Sequence, residues 1–443
     1  MLAIAIAGLG TVGGGVARLL RQNAGMIAAR AGQPLVIKAA CAKDKGRKSG
    51  CQFGDDVVWV EDPKELATVP GIDIVVEAMG GADGAAYELA RAALSGGKSY
   101  VTANKALLAT HGAELARLAE GSGARLMFEA SVAGGIPVIK ALREGLAANR
   151  VLDVSGIING TCNFILTRMR EGKLDFAEAL YEAQANGYAE ADPSFDVDGH
   201  DAACKIAILT ALAFGIEPEL ASVEVEGVRR ISQLDLGFAE ELGCRIKLLA
   251  SARRRGTMIE QRVAPALVPM ASPLAMIEGV VNAVMLRGDF VGDVVLQGRG
   301  AGAEPTASAV VADLMDLARM PKATRGEGTL DGGLFRRAEG QGALVAKDAL
   351  LAESLKARYY VRLSLQDRPG AVADITAAFR DADLSIESLL QHGRPSAGGL
   401  AAGLVPVVVT THAVAPEALR RAVETLAHQG AVGEPPCVMR MEG

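Results

Sequence analysis

The sequence is poor in aromatic side chains, which make up 4% of its 443 residues and include a single tryptophan. Base-stacking platforms need aromatic rings, so a protein that binds single-stranded nucleic acid is disfavoured. The Lys and Arg residues form no long basic run, and the formal net charge is −6. Such a charge pattern also argues against bulk nucleic-acid binding. No apolar stretch approaches the ~20 residues that span a bilayer. We therefore expect neither nucleic acid nor a membrane as a partner.

Cysteine is also scarce. The six cysteines form no Cys-x-x-Cys pair and no cluster with zinc-like spacing. This pattern is typical of thiols packed as small hydrophobic groups in a reducing compartment. The N-terminus lacks the basic segment of a secretory signal and leads directly into an apolar strand pattern. We expect a soluble, cytoplasmic protein, and the length is sufficient for two or three domains.

Glycine, by contrast, is abundant, and its most informative cluster lies near the N-terminus. An apolar strand pattern precedes this cluster, and an apolar helical pattern follows it. Glycines at such a turn let the backbone approach a pyrophosphate at the helix N-terminus. The pattern predicts a dinucleotide site, with an ordinary glycine-rich turn as the alternative. The residues expected to contact the cofactor are Gly8, Gly10, Thr11, Val12 and Gly13.

The next predicted strands help to define this site. The second, residues 35–42, ends in Lys43 and Asp44. An acidic residue there would bind the ribose hydroxyls of NAD, whereas a basic cluster suits the 2′-phosphate of NADP. We predict NADP; Asp44 leaves NAD open, and a solvated charged loop is the alternative without a ligand. Further strands at 72–77 and 99–102 alternate with helices, which predicts a doubly wound parallel sheet.

Residues 187–205 concentrate carboxylates beside an apolar helix. Asp201 and Lys205 are four residues apart and share one helix face. Charged groups next to a core helix are costly unless they are paired or used. A loop that brings Glu190 and Asp196 to this face could hold a small zwitterion and move a proton. An ordinary salt bridge with a solvated acidic loop explains the spacing equally well.

A glycine-rich turn at residues 129–137 follows a strand predicted at 125–128. The turn frees several carbonyl oxygens beside the carboxylate of Glu129, and such oxygens suit a hard cation. An apolar connection between domains is the commoner interpretation.

Taken together, these segments resemble the homoserine dehydrogenase family. The similar segments occur in the family's order, and the set is far more specific than any one of its members. They are residues 8–15, 76–81, 101–108, 129–137, 159–161, 187–205 and 300–310.

The resemblance implies interconversion of L-homoserine and L-aspartate 4-semialdehyde with NAD or NADP. It makes Lys105 and Lys205 catalytic, with Lys205 favoured for proton transfer, and the two lysines are expected to depress each other's pKa. The resemblance further implies three groups of binding residues. The substrate residues are Glu190, Asp196, Asp201 and Lys205; the additional cofactor residues are Met79, Gly80, Lys105 and Gly302; and the residues of a monovalent-cation site, often sodium, are Glu129, Val132, Gly134 and Ile136. A related amino-acid dehydrogenase and a catalytically inactive nucleotide and amino-acid sensor are the alternatives.

The C-terminal region has a separate pattern, β-α-β-β-α with room for a last strand near Val438. It resembles an ACT domain, a ferredoxin-like module that binds amino acids. The resemblance places an effector at the turn containing Asp367 and Gly370 and suggests feedback control by L-threonine. Structural pairing without a ligand is the alternative. Because sheet edges in small modules favour pairing, we expect a homodimer or homotetramer.

The predicted fold class is α/β with three domains. We assign residues 1–130 to a Rossmann-type nucleotide domain and 131–320 to an α+β catalytic and dimerisation domain. Within the latter, residues 302–320 are expected to pack back on the nucleotide domain. Residues 321–356 are predicted to form a linker and 357–443 the ACT domain.

Overall fold

The structure is a computed structural model that describes residues 1–42, 53, 56–256, 258–320, 356–392, 403–428 and 432–442. Two sheets organise these residues: a parallel six-stranded sheet and a ten-stranded mixed sheet. The predicted fold class is confirmed: a parallel sheet of Rossmann type comes first, a mixed α/β region follows, and a β-α-β-β-α-β module comes last. Within the described residues, no helix is both long enough and apolar enough to cross a membrane.

The N-terminal sheet has the strand order β3-β2-β1-β4-β5-β6, and every pairing is parallel. Strands β1 and β4 are buried along their whole length, as expected for apolar strands covered on both faces. From β1 the chain adds β2 and β3 toward one edge of the sheet and then β4, β5 and β6 toward the other. A crevice opens where the direction changes, at the carboxyl ends of β1 and β4. The strands are β1 Leu2–Ala7, β2 Leu35–Cys41, β3 Val58–Val60, β4 Ile74–Glu77, β5 Ser99–Thr102 and β6 Leu126–Met127; the helices are α1 Thr11–Gln22, α2 Ala24–Ala31, α3 Ala85–Ser95 and α4 Lys105–Ser122.

The middle region supplies most of the ten-stranded sheet and the helices that cover it. Its helices are α5 Val138–Lys140, α6 Gly160–Gly172, α7 Phe176–Ala185, α8 Ser194–Val197, α9 His200–Phe214, α10 Gln233–Glu241 and α11 Ala303–Arg319; its strands are β7 Val151–Ile157, β8 Glu224–Val225, β9 Cys244–Arg255, β10 Met258–Pro269, β11 Val281–Gly288 and β12 Gly292–Arg299. Helix α9 is buried on nearly all sides. Helix α11 returns to the nucleotide domain, where Val310 and Leu314 share an apolar core with Val16 and Leu20.

The C-terminal module follows as β13 Arg358–Gln366, α12 Ala371–Asp381, β14 Ile386–Gln391, β15 Leu404–Thr411, α13 Pro416–His428 and β16 Val432–Met441. Its sheet is not separate. Strand β16 pairs in parallel with β10 of the catalytic region, through Ala266 with Arg440 and Leu267 with Met441. One continuous sheet therefore links the two regions, which the sequence pattern did not predict. The linker predicted at 321–356 lies, except for Lys356, outside the described residues.

Buried charges also join the catalytic region to the C-terminal module. Asp235 on α10 is fully buried and accepts hydrogen bonds from Arg362 Nε at 2.7 Å and Tyr360 Oη at 3.0 Å. Glu260 on β10 pairs with both terminal nitrogens of Arg440, at 2.9 and 2.6 Å. Because buried charges are costly without partners, these pairs hold the two regions in a defined arrangement.

Candidate active site

The two lysines singled out in the sequence meet at one carboxylate. Lys105 Nζ lies 3.1 Å from Asp201 Oδ1, and Lys205 Nζ lies 2.7 Å from Asp201 Oδ2. Lys105 comes from α4 of the nucleotide domain, whereas Asp201 and Lys205 belong to α9. The cluster therefore spans the boundary between the region that would bind a nucleotide and the region that would bind a substrate.

Local structure explains where these side chains lie. Helix α4 begins at Lys105, directly after Asn104, whose side chain accepts a hydrogen bond from Leu107 N at 3.1 Å. A cation at a helix N-terminus opposes the helix dipole, and the carboxylate of Asp201 offsets that cost. Asp201 itself lies in the first turn of α9, where a negative charge is favoured.

Lys205 has one hydrogen-bonding position left for a ligand. Its side chain is 11% exposed, and its ammonium group donates to Ile158 O at 2.8 Å and to Asp201 at 2.7 Å. A lysine ammonium carries three N–H donors. Within the described residues, two donors are thus fixed by the protein, and the third can reach a bound oxygen atom.

Asp196 is fixed beside this cluster by side chains that sequence reasoning did not assign. Asn159 Nδ2 donates both to Asp196 Oδ1 and to Asp201 Oδ2, at 2.8 Å each. Thr161 Oγ1 donates to Asp196 Oδ2 at 3.0 Å. The two aspartates thus form one polar floor, which Asn159 bridges. The sequence carried a signal for Asn159, because an asparagine directly before a helix is a preferred N-cap residue. In the structure its Oδ1 accepts from Cys162 N at 2.8 Å at the start of α6.

The charges in this cluster determine the direction of its pKa shifts. Burial lowers the pKa of Lys105, but the charge and hydrogen bond of Asp201 outweigh burial, so the pKa lies above its ordinary value. Burial raises the pKa of Asp201, but Lys205 and Lys105 more than compensate and bring it to about 2. The expected mutual depression of the two lysine pKa values is therefore wrong for Lys105, because Asp201 lies between the two ammonium groups.

Glu190 does not join the cluster in this structure. It is exposed, its main-chain oxygen accepts from Gln184 Nε2 at 3.0 Å, and its carboxylate makes no hydrogen bond or ion pair with the described residues. The structure instead brings the ring of Phe195 close to Lys105, with Nζ 5.8 Å from the ring centre. Phe195 is a neighbour of the site that the sequence analysis missed.

The glycine-rich turn has the geometry of a phosphate cradle. Gly8 has a φ of +89°, and a Cβ at Gly13 would lie 1.9 Å from Gly8 O. The first helical hydrogen bond of α1 runs from Gly14 N to Gly10 O. The preceding amides, at Thr11, Val12 and Gly13, have no partner within the helix, and N-terminal helix donors of this kind suit an anionic group. The residues present fit a dinucleotide.

A second turn completes the edge of this crevice. Glu77, at the end of β4, is fully buried and accepts from Met79 N at 2.6 Å, Gly80 N at 3.0 Å and Thr102 Oγ1 at 2.7 Å. These amides are used to shape the turn, so Met79 and Gly80 would meet a cofactor through other atoms. Gly302 has a φ of +118° and precedes α11.

Lys43, the basic residue expected at a 2′-phosphate, lies outside the described residues.

The candidate cation site surrounds a buried carboxylate. Glu129 is 3% exposed; its Oε1 accepts from Ile139 N at 2.9 Å and its Oε2 from Lys140 N at 2.8 Å. Burial raises its pKa. Among the residues that the structure describes, each oxygen accepts one hydrogen bond and keeps a second lone pair, so the carboxylate can still bind a cation. Gly134 has a φ of +50°, and a Cβ there would lie 2.4 Å from Gly300 O, so the turn is closely packed.

The turn of the C-terminal module is exposed and ordered by an ion pair. Gly370 has a φ of +86° and precedes α12. Arg368 donates to Asp374 Oδ2 at 2.5 Å, and Asp367 N donates to Gly403 O at 3.0 Å. The two residues expected to contact an effector thus lie at the N-terminal end of α12.

Comparison with protein families separates the chain into three matches. The profile described as homoserine dehydrogenase matches residues 137–315. The profile described as homoserine dehydrogenase, NAD binding domain, matches residues 8–129. The ACT domain profile matches residues 359–428.

Relatives and solved structures agree with these matches. The homoserine dehydrogenase of Neisseria gonorrhoeae is 44% identical over 439 residues, covering 99% of this chain and 98% of the relative. That of Pseudomonas aeruginosa is 42% identical with the same coverage. The crystal structure of a homoserine dehydrogenase from Thiobacillus denitrificans has a TM-score of 0.87 at 40% identity and covers 100% of this chain and 98% of its own. A hyperthermophilic archaeal homoserine dehydrogenase in complex with NADPH covers 72% of this chain and 98% of its own, with a TM-score of 0.61 at 29% identity.

Proposed function

The chain belongs to the homoserine dehydrogenase family, enzymes that interconvert L-homoserine and L-aspartate 4-semialdehyde with a nicotinamide cofactor, and we propose that the cluster of Lys105, Asp201 and Lys205 is its catalytic centre. One observation carries the proposal: Asp201 holds one lysine from the nucleotide side and one from the substrate side, at 3.1 and 2.7 Å. The comparisons do not favour the alternative functions, an inactive sensor and a related amino-acid dehydrogenase.

The nicotinamide, when bound, supplies or accepts the hydride at C4 of the substrate. The remaining task for the protein is to move one proton at the substrate oxygen and to hold both reactants. Lys205 has the free donor position for this role: it gives the proton to the oxygen during reduction of the aldehyde and takes it back during oxidation of the alcohol. Asp201 keeps the Lys205 side chain in place, as an ammonium group before the proton is given up and as a neutral amine afterwards.

Substrate binding follows from the charges nearby. The ammonium group of homoserine needs carboxylates, and Asp196 and Asp201 supply them on the floor held by Asn159. Glu190 lies on the exposed loop above this floor. We assign it to substrate binding as well, which requires the loop to move toward the substrate when it binds.

The cofactor is assigned to the crevice at the carboxyl ends of β1 and β4. The cradle of Gly8, Gly10 and Gly13 supports a pyrophosphate there, Thr11 and Val12 contribute amides, and Met79, Gly80, Lys105 and Gly302 line the crevice. We propose NADP as the preferred cofactor, with NAD as the alternative, because Lys43 and its basic neighbours follow β2.

Glu129 and the carbonyl groups of Val132, Gly134 and Ile136 are proposed to hold a monovalent cation, and the proposed cation is sodium. The support is a buried carboxylate whose two oxygens each retain a lone pair. Among the described residues, no group of three or more His, Cys, Asp and Glu is arranged to hold a metal. The proposed site therefore depends on main-chain oxygens, as hard cations allow.

The C-terminal module is proposed to bind L-threonine at Asp367 and Gly370 and to regulate turnover. Strands β12 and β14 end the ten-stranded path among the described residues. Such edges favour pairing with a second copy, which supports a homodimer or homotetramer. We propose a cytoplasmic location.

One assay tests these assignments: nicotinamide absorbance during L-homoserine oxidation, with NAD and NADP in parallel. Sodium and potassium are compared, and each mixture is repeated with L-threonine. NADP-linked turnover that is stimulated by sodium and suppressed by threonine is the expected result. Turnover that is indifferent to threonine would remove the effector assignment, and no turnover with either cofactor would overturn the catalytic centre.

A further inference from the structure

The two aspartates of the polar floor lie on different helices. Asp196 belongs to α8, which has only four residues, and Asp201 lies in the first turn of α9. A helix as short as α8 is not stable by itself, so tertiary contacts must hold it. The connection to α9 turns at Gly199, whose φ is +90°. The relative position of the two carboxylates therefore depends on what fixes α8 and this turn.

One segment of the chain, residues 226–229, packs against the C-terminal end of α8, and we call it the backing segment. It directly follows β8. Glu226 N donates to Val263 O of β10 at 2.8 Å, and Val228 N donates to Val197 O of α8 at 2.9 Å. The backing segment thus ties the end of α8 to the ten-stranded sheet.

The main chains of the backing segment and α8 approach too closely for a side chain at Gly227. A Cβ there would lie 2.3 Å from Val197 O and 2.6 Å from Asp198 Cα. Both distances are well below the ~3.5–4.0 Å of ordinary contacts between carbon atoms. Glycine is the residue that permits such an approach. The backing segment therefore sets the course of the main chain between the two aspartates.

Arg229, at the end of the backing segment, holds both ends of α8. Its Nε donates to Asp198 Oδ1 at 2.5 Å and its Nη2 to Asp198 Oδ2 at 3.1 Å, just after the helix. The same Nη2 donates to Oγ of Ser194, the first residue of α8, at 3.1 Å. The planar fork of an arginine allows this geometry. The guanidinium group thus bridges the ends of the short helix, and Asp196 lies between them.

The ion pair of Arg229 and Asp198 is too exposed to contribute much to folding stability. The two side chains are 43% and 36% exposed, and exposed pairs of this kind add little to the free energy of unfolding. The effect of the pair is local, because it favours one arrangement of α8 relative to α9. The carboxylate of Asp196 is held separately, by Asn159 and Thr161.

We propose that Arg229 is a positioning residue for substrate binding, which keeps α8 in the arrangement that places Asp196 beside Asp201. This inference rests on the proposed function, because it requires the two aspartates to bind the ammonium group of homoserine. Arg229 acts through Ser194 and Asp198 and needs no contact with the substrate. Without Arg229, only a fraction of the molecules keeps the competent arrangement, and the apparent affinity falls by that fraction.

The test is the affinity of Arg229→Ala for L-homoserine, measured by isothermal titration calorimetry on the full chain with NADPH present. NADPH cannot accept a hydride, so no turnover accompanies the titration. The dissociation constant should rise about fivefold, which corresponds to the ~1 kcal/mol upper range of an exposed ion pair. Arg230→Ala, at the next and also exposed residue, is the matched control. An unchanged dissociation constant in Arg229→Ala would overturn the proposal.

Steady-state kinetics separate positioning from a general structural role. The KM for L-homoserine should rise with the dissociation constant. The kcat should stay near that of the unmodified chain, because Lys205 keeps its contacts with Ile158 and Asp201. A lower urea midpoint with a normal KM would assign Arg229 to stability alone, and a lower kcat with a normal KM would equally contradict positioning.

Arg229→Lys tests the fork. A lysine keeps the positive charge but cannot hold both oxygens of Asp198 and the hydroxyl of Ser194 in one plane. The KM of this variant for L-homoserine should therefore stay above that of the unmodified chain. A KM equal to that of the unmodified chain would mean that only the charge matters, and the positioning role would be wrong.

Gly227→Ala tests the backing segment by a different route. The added methyl group must displace Val197 or Asp198, and kcat/KM for L-homoserine should fall about 10- to 100-fold, as a misplaced binding group can cause. Gly237→Ala, on α10, is the matched control, since a Cβ there meets no other atom of the described residues within 4 Å. Normal kcat/KM in Gly227→Ala would contradict the role of the backing segment. Circular dichroism checks the fold, and the Arg229 variants decide the proposal if Gly227→Ala is unfolded.

Failure of the proposed function would look different. If L-homoserine does not bind the unmodified chain, the substrate assignment and the role of Arg229 are both overturned. If it binds but is not turned over when NADP or NAD is supplied, the catalytic centre is overturned, and the calorimetric comparison still decides the role of Arg229. Normal binding and turnover in Arg229→Ala would overturn only the positioning role.

Discussion

Two buried aspartates join domains in this protein, and their partners differ in kind. Asp201 links the nucleotide and substrate regions through Lys105 and Lys205, whereas Asp235 links the catalytic region to the C-terminal module through Arg362 and Tyr360. A lysine ammonium is a compact charge with three rotatable donors, while an arginine presents a rigid planar fork. The first arrangement leaves a donor for a ligand, and the second is fixed by two parallel hydrogen bonds.

The hydrogen bonds of the two carboxylates show the same contrast. Besides Arg362 and Tyr360, Asp235 accepts from Ser232 N at 2.9 Å and Ser232 Oγ at 2.6 Å. It thus belongs to the N-terminal cap of α10 as well as to the domain boundary. Asp201 has Asn159 as its third partner and pairs with Lys205, the residue proposed to exchange a proton with the substrate. Burial and pairing alone therefore do not mark a catalytic carboxylate. Asp201 differs from Asp235 because its partner Lys205 keeps one N–H donor that no described residue uses and that a ligand can accept.

Removing the proton-transfer group should have the largest effect on turnover. We expect Lys205→Ala to lower kcat for L-homoserine oxidation by about 10²- to 10⁴-fold, the usual contribution of a general acid or base. NADPH affinity, measured by fluorescence, should change little. Lys64→Ala, at an exposed lysine of the nucleotide domain, is the control and should retain full turnover. Near-normal turnover in Lys205→Ala would remove the distinction between the two aspartate clusters.

Removing the carboxylate of Asp235 should instead lower the stability of the fold. Asp235→Ala leaves the Arg362 guanidinium buried without its partner, and breaking a buried pair costs about 3–5 kcal/mol. Urea denaturation followed by circular dichroism should show a clear fall in the midpoint. In contrast, Asp374→Ala breaks an exposed pair with Arg368 and should cost under about 1 kcal/mol. Equal midpoints for the two variants would mean that the interdomain pair does not hold the module in place.

The pKa of Asp201 predicts a pH-dependent contribution to stability. Its folded value of about 2 lies below its unfolded value of 3.8. The stabilisation is therefore complete above the unfolded pKa and is lost as the pH falls through the folded pKa. This difference corresponds to about 2 kcal/mol. Urea denaturation at pH 6, 4 and 2.5 gives the free energy of unfolding of the unmodified chain and of Asp201→Asn. The difference between the two proteins should narrow only in the most acidic samples. A difference in free energy of unfolding that is the same at all three pH values would contradict the lowered pKa of Asp201.

The smallest expected effect tests the geometry of the cluster formed by Asp235, Arg362 and Tyr360. Arg362→Lys keeps the positive charge but loses the two-pronged hydrogen bond to Asp235, and about 1 kcal/mol of stability should be lost. The kcat should stay unchanged, because this cluster handles no ligand. Arg380→Lys, at an exposed position beside Asp381, is the control and should leave the urea midpoint in place. If Arg362→Lys lowers kcat while the midpoint is unchanged, the cluster has a functional role and the contrast fails.

Local patterns predicted the elements of this protein well. Strand β1 at Leu2–Ala7 is the apolar strand expected before the glycine cluster, and β5 at Ser99–Thr102 matches the strand predicted at residues 99–102. These elements follow from apolar periodicity and glycine turns, which act over a few residues. The junction of β10 with β16 was missed because it consists of two residue pairs between strands far apart in sequence. No local periodicity records such a pairing.

The candidate site was predicted in its members but not in its contacts. Asp201 and Lys205 were identified as a pair because an i,i+4 spacing fixes them on one helix face. Lys105 was named as well, but its ion pair with Asp201 depends on how α4 docks beside α9. That docking also reversed the expected direction of its pKa shift. Glu190 was expected in the cluster and is exposed, since the conformation of its loop is not fixed by spacing.

The sequence alone therefore determined the strand–turn–helix cradle and the helix that presents Asp201 and Lys205. Each of these depends on interactions between residues close together along the chain. Only the tertiary structure decided that one carboxylate would hold both lysines, that Asp235 would receive Arg362, and that β16 would pair with β10. These features depend on the relative orientation of packed elements, where a shift of a few ångströms makes or breaks a hydrogen bond.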